Sequence, residues 1–323
     1  MSEKKEIGTL VTAYLQKNPT MPSRSVARLI SKEHPHLATI DNLRTRVRYY
    51  RGTNGHKNRL KAGFEVDMPP SDNTEWLPYI VPDEYRNTWI MADTHIPYHD
   101  LDAIKLFVKM AQEKKVDSVI IDGDMMDFLQ VSHFNRNPEK RNIVSEIRQG
   151  NWFLDYLEDE LPNARIIYKT ANHEARLDTF IMNRCPEIWG MDGLNLASQF
   201  DIPARGIILV ADKRIIKYGH LNIIHMDEFS KGINDPVNPA RTLYLKTHTT
   251  SAGAHHHRPS THTESDLDSK QTTCWTIGCL CGLHPEWMPI NKWCLGSAFV
   301  TKDRSGNFEF NNFKVIKRRI YPA

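Results

Sequence analysis

A chain of 323 residues, 40% hydrophobic and 25% charged, is long enough to bury one or two sizeable cores and has the make-up of a globular protein, not a disordered one. No apolar run approaches the roughly 20 residues that span a bilayer, and the amino terminus MSEKKEIGTL lacks the apolar core of a signal peptide, so a cytoplasmic location with no membrane partner is expected. The net charge of +3 hides an asymmetry: residues 1–63 hold thirteen Lys or Arg against four acids, which leaves the remainder net acidic and points to a basic module joined to an acidic body.

The basic module, residues 1–63, reads as three short helices. Positions 6–16 carry Ile7, Leu10, Val11 and Leu15 on one face, and Pro22-Ser23 starts a second helix over 24–33. Thr39 or Asp41 caps a third, which runs through Leu43, Val47 and Tyr50. The opposite face of that helix carries Arg44, Arg48 and Arg51, with Arg46 at its flank. Three helices ending in an arginine-rich one resemble the helix-turn-helix class. That resemblance implies a nucleic-acid partner, DNA ahead of RNA, contacted through Arg44, Arg46, Arg48 and Arg51, with Asn42 also in reach of base edges. A solvated basic face that docks a protein is the alternative. Residues 52–61 are polar, basic and turn-rich, and suit an arm that follows phosphates.

Residues 64–85 are rich in Pro, Asp, Asn and Ser and read as a linker that packs on the body through Trp76, Tyr79 and Ile80. Residues 86–323 then alternate between strands and helices. The first strand ends at Asp93; a helix follows through Ala103, Leu106, Phe107 and Met110; the second strand, Val119-Ile120-Ile121, stops at Asp122-Gly123-Asp124. A long amphipathic helix is predicted over 143–161, a third strand over 165–169, and a helix from Arg176. Strands recur at 207–210, 215–218 and 221–225, 252–257 reads as a strand end, and the tail forms an antiparallel hairpin about Ser305-Gly306-Asn307. The expected fold class is α/β, a layered sandwich preceded by a small all-α domain. Four of the five cysteines fall between Cys274 and Cys294 with no zinc-ribbon spacing, and Cys279 and Cys281 are expected to be structural.

Carboxylates at the carboxyl end of a buried strand are where open α/β sheets place their chemistry. Three strand ends here deliver Asp93-Thr94-His95, Gly123-Asp124 with Asp127, and Asn172-His173-Glu174; His225 follows the apolar run 221–224, and Ala254-His255-His256-His257 comes later. In order and type these residues resemble the five blocks of the calcineurin-like metallophosphoesterases, DxH, GDxxD, GNH(D/E), H and GHxH, over roughly residues 86–318. The resemblance implies an α/β/β/α metallophosphoesterase sandwich holding two divalent metal ions. It assigns Asp93, His95, Asp124 and His257 to one ion and Asp124, Asn172, His225 and His255 to the other, with Asp124 as the bridge. Mixed nitrogen and oxygen donors suit Mn first, with Fe, Zn or Ni as alternatives. It further implies hydrolysis by a metal-bridging hydroxide, with Asp124 and His173 catalytic, His173 assisting the leaving group, and Asp127 orienting a ligand. His256 is expected to point away, by alternation along an extended strand end.

The sequence departs from that pattern at Ala171 and Ala254, where glycines are usual; alanine has room to shift a loop slightly, while all the expected ligands remain. Phe128-Leu129 follow Asp127 where the serine/threonine phosphatase branch has an arginine, which argues against that substrate class. His133, Arg136, Lys140 and Arg176 are expected near the mouth of the site. Joined to a basic module, such a body is expected to hydrolyse phosphodiesters, as a DNA nuclease or phosphodiesterase, and the combination resembles phage and prophage proteins acting in a host cytoplasm. Two alternatives stand beside this one: a phosphatase or cyclic-nucleotide phosphodiesterase whose module docks a partner, and a non-catalytic DNA-binding protein.

Overall fold

Buried runs of β-branched and aromatic residues set the architecture of the body. After a two-residue edge strand β1 (Tyr79–Ile80), the chain lays down β2 (Asn87–Met91), β3 (Ser118–Asp122), β4 (Arg165–Lys169) and β5 (Ile208–Val210), all parallel and in that spatial order. The computed structural model describes residues 3–52, 68, 70–134, 142–229, 237–286 and 288–323; the expected arm beyond Gly52 and the expected cations Arg136 and Lys140 lie outside them. Two compact units result, Met1–Glu75 and Trp76–Ala323. No helix among the described residues is long and apolar enough to cross a membrane.

The remaining strands are β6 (Ile216–Tyr218), β7 (Leu221–Ile224), β8 (Ser251–Gly253), β9 (Ser260–Ser265), β10 (Gln271–Thr276), β11 (Gly296–Lys302), β12 (Phe308–Ile316) and β13 (Arg319–Pro322). They complete one sheet of order β13-β12-β11-β2-β3-β4-β5 and a second of order β1-β6-β7-β8-β10-β9. Successive side chains on β2, β3 and β4 serve different cores, as strand geometry requires. Ile90, Ile120 and Ile167 pack against Ile216, Leu221, Ile223 and Ala252 of the second sheet. Trp89, Val119, Ile121, Ile166 and Tyr168 meet Phe107 and Val108 of the helix Leu101–Lys114 and Phe153 and Leu154 of the helix Ile143–Glu160. The helix Pro239–Thr247 covers the other sheet through Ala240 and Leu243. The layers are therefore α/β/β/α, the sandwich expected from the sequence, and the expected tail hairpin is β11–β12.

Local signals explain the boundaries. Asp100 caps the helix Leu101–Lys114 by accepting from the Ala103 N–H at 2.8 Å, and Asn142 does the same for Ser145 N–H at 2.8 Å. Tyr79 and Ile80, read as linker, instead add a short parallel strand to the edge of the second sheet, while the Trp76 indole donates to Asp212 O at 3.2 Å.

The first unit is three helices, α1 (Glu3–Lys17), α2 (Ser23–Glu33) and α3 (Ile40–Tyr50), around Val11, Leu15, Val26, Ile30, Leu43 and Val47. Thr39 caps α3 by accepting from the Asn42 N–H at 3.4 Å. Arg48 is exposed and Arg44 and Arg46 are half-buried, but Arg51 is not a free surface cation. Its guanidinium donates to Ser23 Oγ at 3.2 Å, to Pro19 O at 3.0 Å and to Met21 O. Helical periodicity placed Arg51 with Arg44 and Arg48; the loop between α1 and α2 folds back and claims it. Charge-assisted hydrogen bonds to carbonyls contribute about 1.5–3 kcal/mol, so Arg51→Ala is expected to destabilise this unit by about 2 kcal/mol, read as an earlier first transition in thermal unfolding of the full chain.

Candidate metal centre

The loops that follow β2, β3 and β4 are laced together at their backbones. Asp93 N–H donates to Gly123 O at 3.2 Å and His95 N–H to Asp124 O at 3.0 Å. The buried Glu174 carboxylate fastens the third loop to the second. It accepts from the N–H groups of Asp124 (3.1 Å), Met126 (3.2 Å) and Ala171 (2.9 Å), and from the Tyr168 hydroxyl at 2.9 Å. Glycine is required at 123, where φ is +82° and a Cβ would stand 2.5 Å from that of Ala171 and 2.6 Å from His225 Nδ1.

Five of the expected ligands adopt a backbone conformation that L-residues avoid: φ is 53° at Asp93, 48° at His95, 51° at Asp124, 74° at His255 and 56° at His257. Such strain persists only where the surroundings over-determine it, and it clusters at functional sites. Ala171 and Ala254 are not among the residues of positive φ. The alanines that replace the pattern's glycines therefore sit without backbone strain, and they remove no donor.

The side chains converge on one space. Asp93 Oδ1 lies 3.8 Å from His95 Nε2, 3.2 Å from His257 Nε2 and 3.9 Å from His225 Nε2. His225 Nε2 is also 3.2 Å from Asp124 Oδ2, and His95 Nε2 is 3.2 Å from His257 Nε2. Donor atoms of Asp93, His95 and Asp124 form one close group and those of Asp124, His225 and His255 another, with Asp124 common to both. With metal–donor bonds of about 2.0–2.2 Å, neighbouring ligand atoms stand roughly 3.0–3.6 Å apart; the three 3.2 Å separations fall in that range and the 3.8 and 3.9 Å separations lie just above it. Asp93 Oδ1, Asn172 Oδ1 and His225 Nε2 are buried and make no hydrogen bond of acceptable angle among the described residues. Buried polar atoms left unpaired are costly, and bound divalent cations would satisfy such atoms. The donor set therefore fits the metal ions that the resemblance implies.

Two rings have their tautomers set from behind. His95 Nδ1 is 3.1 Å from Asp127 Oδ1, and His225 Nδ1 is 2.5 Å from Asp122 O; each arrangement leaves Nε2 facing the centre. Asp127 thus orients His95 from outside the donor set. Asp127→Ala is expected to weaken metal binding about 10–100-fold while leaving the fold intact, as measured by competition with a chelating dye.

Burial opposes charge throughout, yet the histidines beside them hold Asp93, Asp124 and Asp127 below the ordinary carboxylate range. In return, and against burial, Asp124 raises His225 well above the usual imidazole value and Asp93 pushes His257 up to about 10. His255, half-buried and next to His225, is pushed down to about 4, first by its partial removal from water. Three buried carboxylates that stay ionised need positive charge among them, from protonated rings or from divalent cations.

His173 flanks this centre. Its backbone N–H donates to Asp124 Oδ1 at 3.1 Å, and its ring Nδ1 is 2.9 Å from Asp127 O. Nε2 lies 3.7 Å from Asp124 Oδ2 and meets Arg176 Nη2 at 2.9 Å, while Arg176 Nη1 donates to Asp127 O at 2.7 Å. The helix Ala175–Arg184 begins directly after the third loop, and this is what brings Arg176 here.

One expectation fails. His256 does not point away: it lines the same cavity of about 680 Å³ as His255 and His257. With φ positive on both sides of His256 the segment turns, so the alternation of an extended strand does not apply. Cys281, expected to be structural, is buried, with Sγ 3.9 Å from His257 Nδ1, in a position at the cavity that the sequence did not indicate. Its distance in sequence from every other site residue gave no signal. His133 is not among the residues lining the cavity.

A search of curated proteins finds no match. Among solved structures, Vps29 of Entamoeba histolytica is similar at 9% identity, covering 73% of this chain and 97% of that one with a TM-score of 0.38. Vps29 of Chaetomium thermophilum is similar at 12% identity, with 74% and 96% covered and a TM-score of 0.40. The E. coli phosphoesterase YfcE is similar at 11% identity, with 66% and 87% covered and a TM-score of 0.31. The profile of the family described as calcineurin-like phosphoesterase matches residues 86–275, more than half of the chain and a span that contains every proposed metal ligand. On that match the chain belongs to the calcineurin-like phosphoesterase family.

Proposed function

We propose that the protein is a metal-dependent phosphodiesterase that acts on DNA. The observation that carries the hydrolytic half of this reading is the convergence of donor atoms of Asp93, His95, His225 and His255 about Asp124, with Asp93 Oδ1 and His225 Nε2 buried and without a hydrogen-bond partner among the described residues. Asp93, His95, Asp124 and His257 would hold one divalent ion and Asp124, Asn172, His225 and His255 a second, Mn first with Fe, Zn or Ni as alternatives. Bound there, they would supply Lewis-acid polarisation and neutralise the charge of an in-line displacement.

The chain's own residues do the rest. Arg176 is held at Asp127 O by Nη1, which aims Nη2 at the edge of the centre; an incoming phosphoryl oxygen takes that donor in place of His173 Nε2. The His173 ring stays fixed through Nδ1; its Nε2, released by Arg176, takes up a proton, which the neighbouring Asp124 and Asp127 favour against burial, and delivers that proton to the leaving oxygen. Asp127 keeps His95 in register throughout.

The DNA half rests on the basic three-helix module. Arg48 is exposed on α3, with Arg44 one turn away, and cations on an exposed helix suit phosphates. The test uses end-labelled single-stranded and duplex DNA with Mn, resolved on a denaturing gel, for wild type and an Arg44→Glu/Arg48→Glu variant. Cleavage is expected from both, with the variant at least about tenfold weaker at moderate salt and a shallower salt dependence, while turnover of bis(p-nitrophenyl) phosphate stays equal. Unchanged DNA cleavage in the variant would remove α3 from the account. Turnover of the small diester without any DNA cleavage would make the module a docking element and the enzyme one of small substrates.

A further inference from the structure

The cavity over the metal centre is larger than a phosphate needs, and its two sides differ. One side is the polar floor of His95, Asp124, Asp127 and the histidines 255–257; the other is Tyr98, Leu129, Phe134, Pro285, Met288 and Trp293. Phe134 is 55% exposed and Met288 46% exposed, so apolar surface is presented to the opening and not withdrawn from it. Trp293 stands at the junction of the two sides, its ring 4.2 Å from that of His257. Arg176 also joins the two sides, its guanidinium 5.7 Å over the Phe134 ring while its nitrogens reach His173 and Asp127.

A ligand that matches both sides carries a flat ring a few ångströms from a phosphate, since Arg176 and His173 take the phosphate where the aromatic wall begins. We infer that the wall formed by Phe134 and Trp293 is a nucleobase subsite, and that the enzyme acts on an unpaired nucleotide in a single strand or a frayed end. The inference rests on the phosphodiesterase reading of the same site and adds the substrate's form. In a duplex each base is stacked and paired inside the helix, so it reaches such a wall only once it leaves the stack. Stacking on a protein aromatic is worth about 1–3 kcal/mol per base, roughly five- to more than a hundredfold in affinity. It tolerates any base, so the subsite selects for strandedness and not for sequence.

The test is a ratio, measured on the metal-loaded full-length protein. Calorimetric titration compares thymidine 5′-monophosphate with deoxyribose 5-phosphate, which lacks the base, and with phenyl phosphate. The nucleotide is expected to bind about tenfold or more tightly than either, and the advantage over the sugar phosphate is expected to shrink toward unity in Phe134→Ala and in Trp293→Leu. Two variants are used because Trp293 packs on His257; the ratio reads the subsite even if one of them loses overall affinity. In parallel, a single-stranded oligonucleotide is expected to be cut about tenfold faster than one with an abasic residue at the cleaved position. Equal binding of nucleotide and sugar phosphate overturns the inference whether or not DNA is cleaved. Phenyl phosphate bound as tightly as the nucleotide overturns it in favour of a general aryl-phosphate pocket. A base-dependent ratio without cleavage of any polynucleotide supports the subsite while removing the nuclease reading.

Discussion

Replacing Asp124 with Asn is expected to lower phosphodiester turnover by about a thousandfold or more, the scale on which loss of a principal transition-state stabiliser is felt, and to strip metal from the protein. The reason lies in the sharing of this one carboxylate between two donor groups, Asp93–His95–Asp124 and Asp124–His225–His255. The amide keeps the shape and the hydrogen bond that Asp124 Oδ1 accepts from His173 N–H. It removes the charge that holds positive partners on both sides. Metal content by atomic emission and turnover of a chromogenic diester measure the two effects. Full metal occupancy in the variant would show that Asp124 is a neighbour of the centre and not its bridge.

His173→Ala is expected to behave differently: metal is retained and turnover falls by about 10²–10⁴-fold. The loss should depend on the leaving group. A DNA 3′- or 5′-oxygen needs a proton as it departs, whereas p-nitrophenolate leaves without one, so the variant should lose far more on DNA than on the chromogenic diester. Arg176→Ala provides the contrast, because in the proposed mechanism Arg176 would hold phosphate and move no proton; it should raise KM on both substrates with a smaller change in kcat. Equal losses on the two substrates in His173→Ala would assign His173 to charge stabilisation instead of proton delivery.

Much of the fold was legible because its central strands carry their own evidence. Runs such as Val119-Ile120-Ile121 are apolar on both faces, and the helices between them have clear caps at Asp100 and Asn142. The same runs end in Asp93, Asp124 and Asn172, so order along the chain was enough to bring the expected ligands to one edge. The backbone conformation at those ends was not legible. Nothing local marks Asp93, His95, Asp124, His255 and His257 as residues of positive φ; the surrounding hydrogen bonds, those of Glu174 among them, impose it. That is why alternation misplaced His256.

Long-range contacts account for the other differences. Arg51 looks like a surface cation on a helical wheel until the α1–α2 loop returns to it. Cys281 and Trp293 reach His257 from a loop that follows β10, and no spacing rule relates them to it. Arg176 was visible as a neighbour of the third block, but its grip on both Asp127 O and His173 Nε2 depends on how that block meets the second.

The central claim, that these residues form a paired metal centre that hydrolyses phosphodiesters, is tested most directly by counting metal. The purified full-length chain is equilibrated with Mn, excess ion is removed, and bound metal and diester turnover are measured on the same sample before and after chelation. About two equivalents per chain are predicted, with turnover that disappears on chelation and returns as the second equivalent is restored. A single equivalent that suffices for full turnover, or turnover that survives complete removal of metal, would contradict the account.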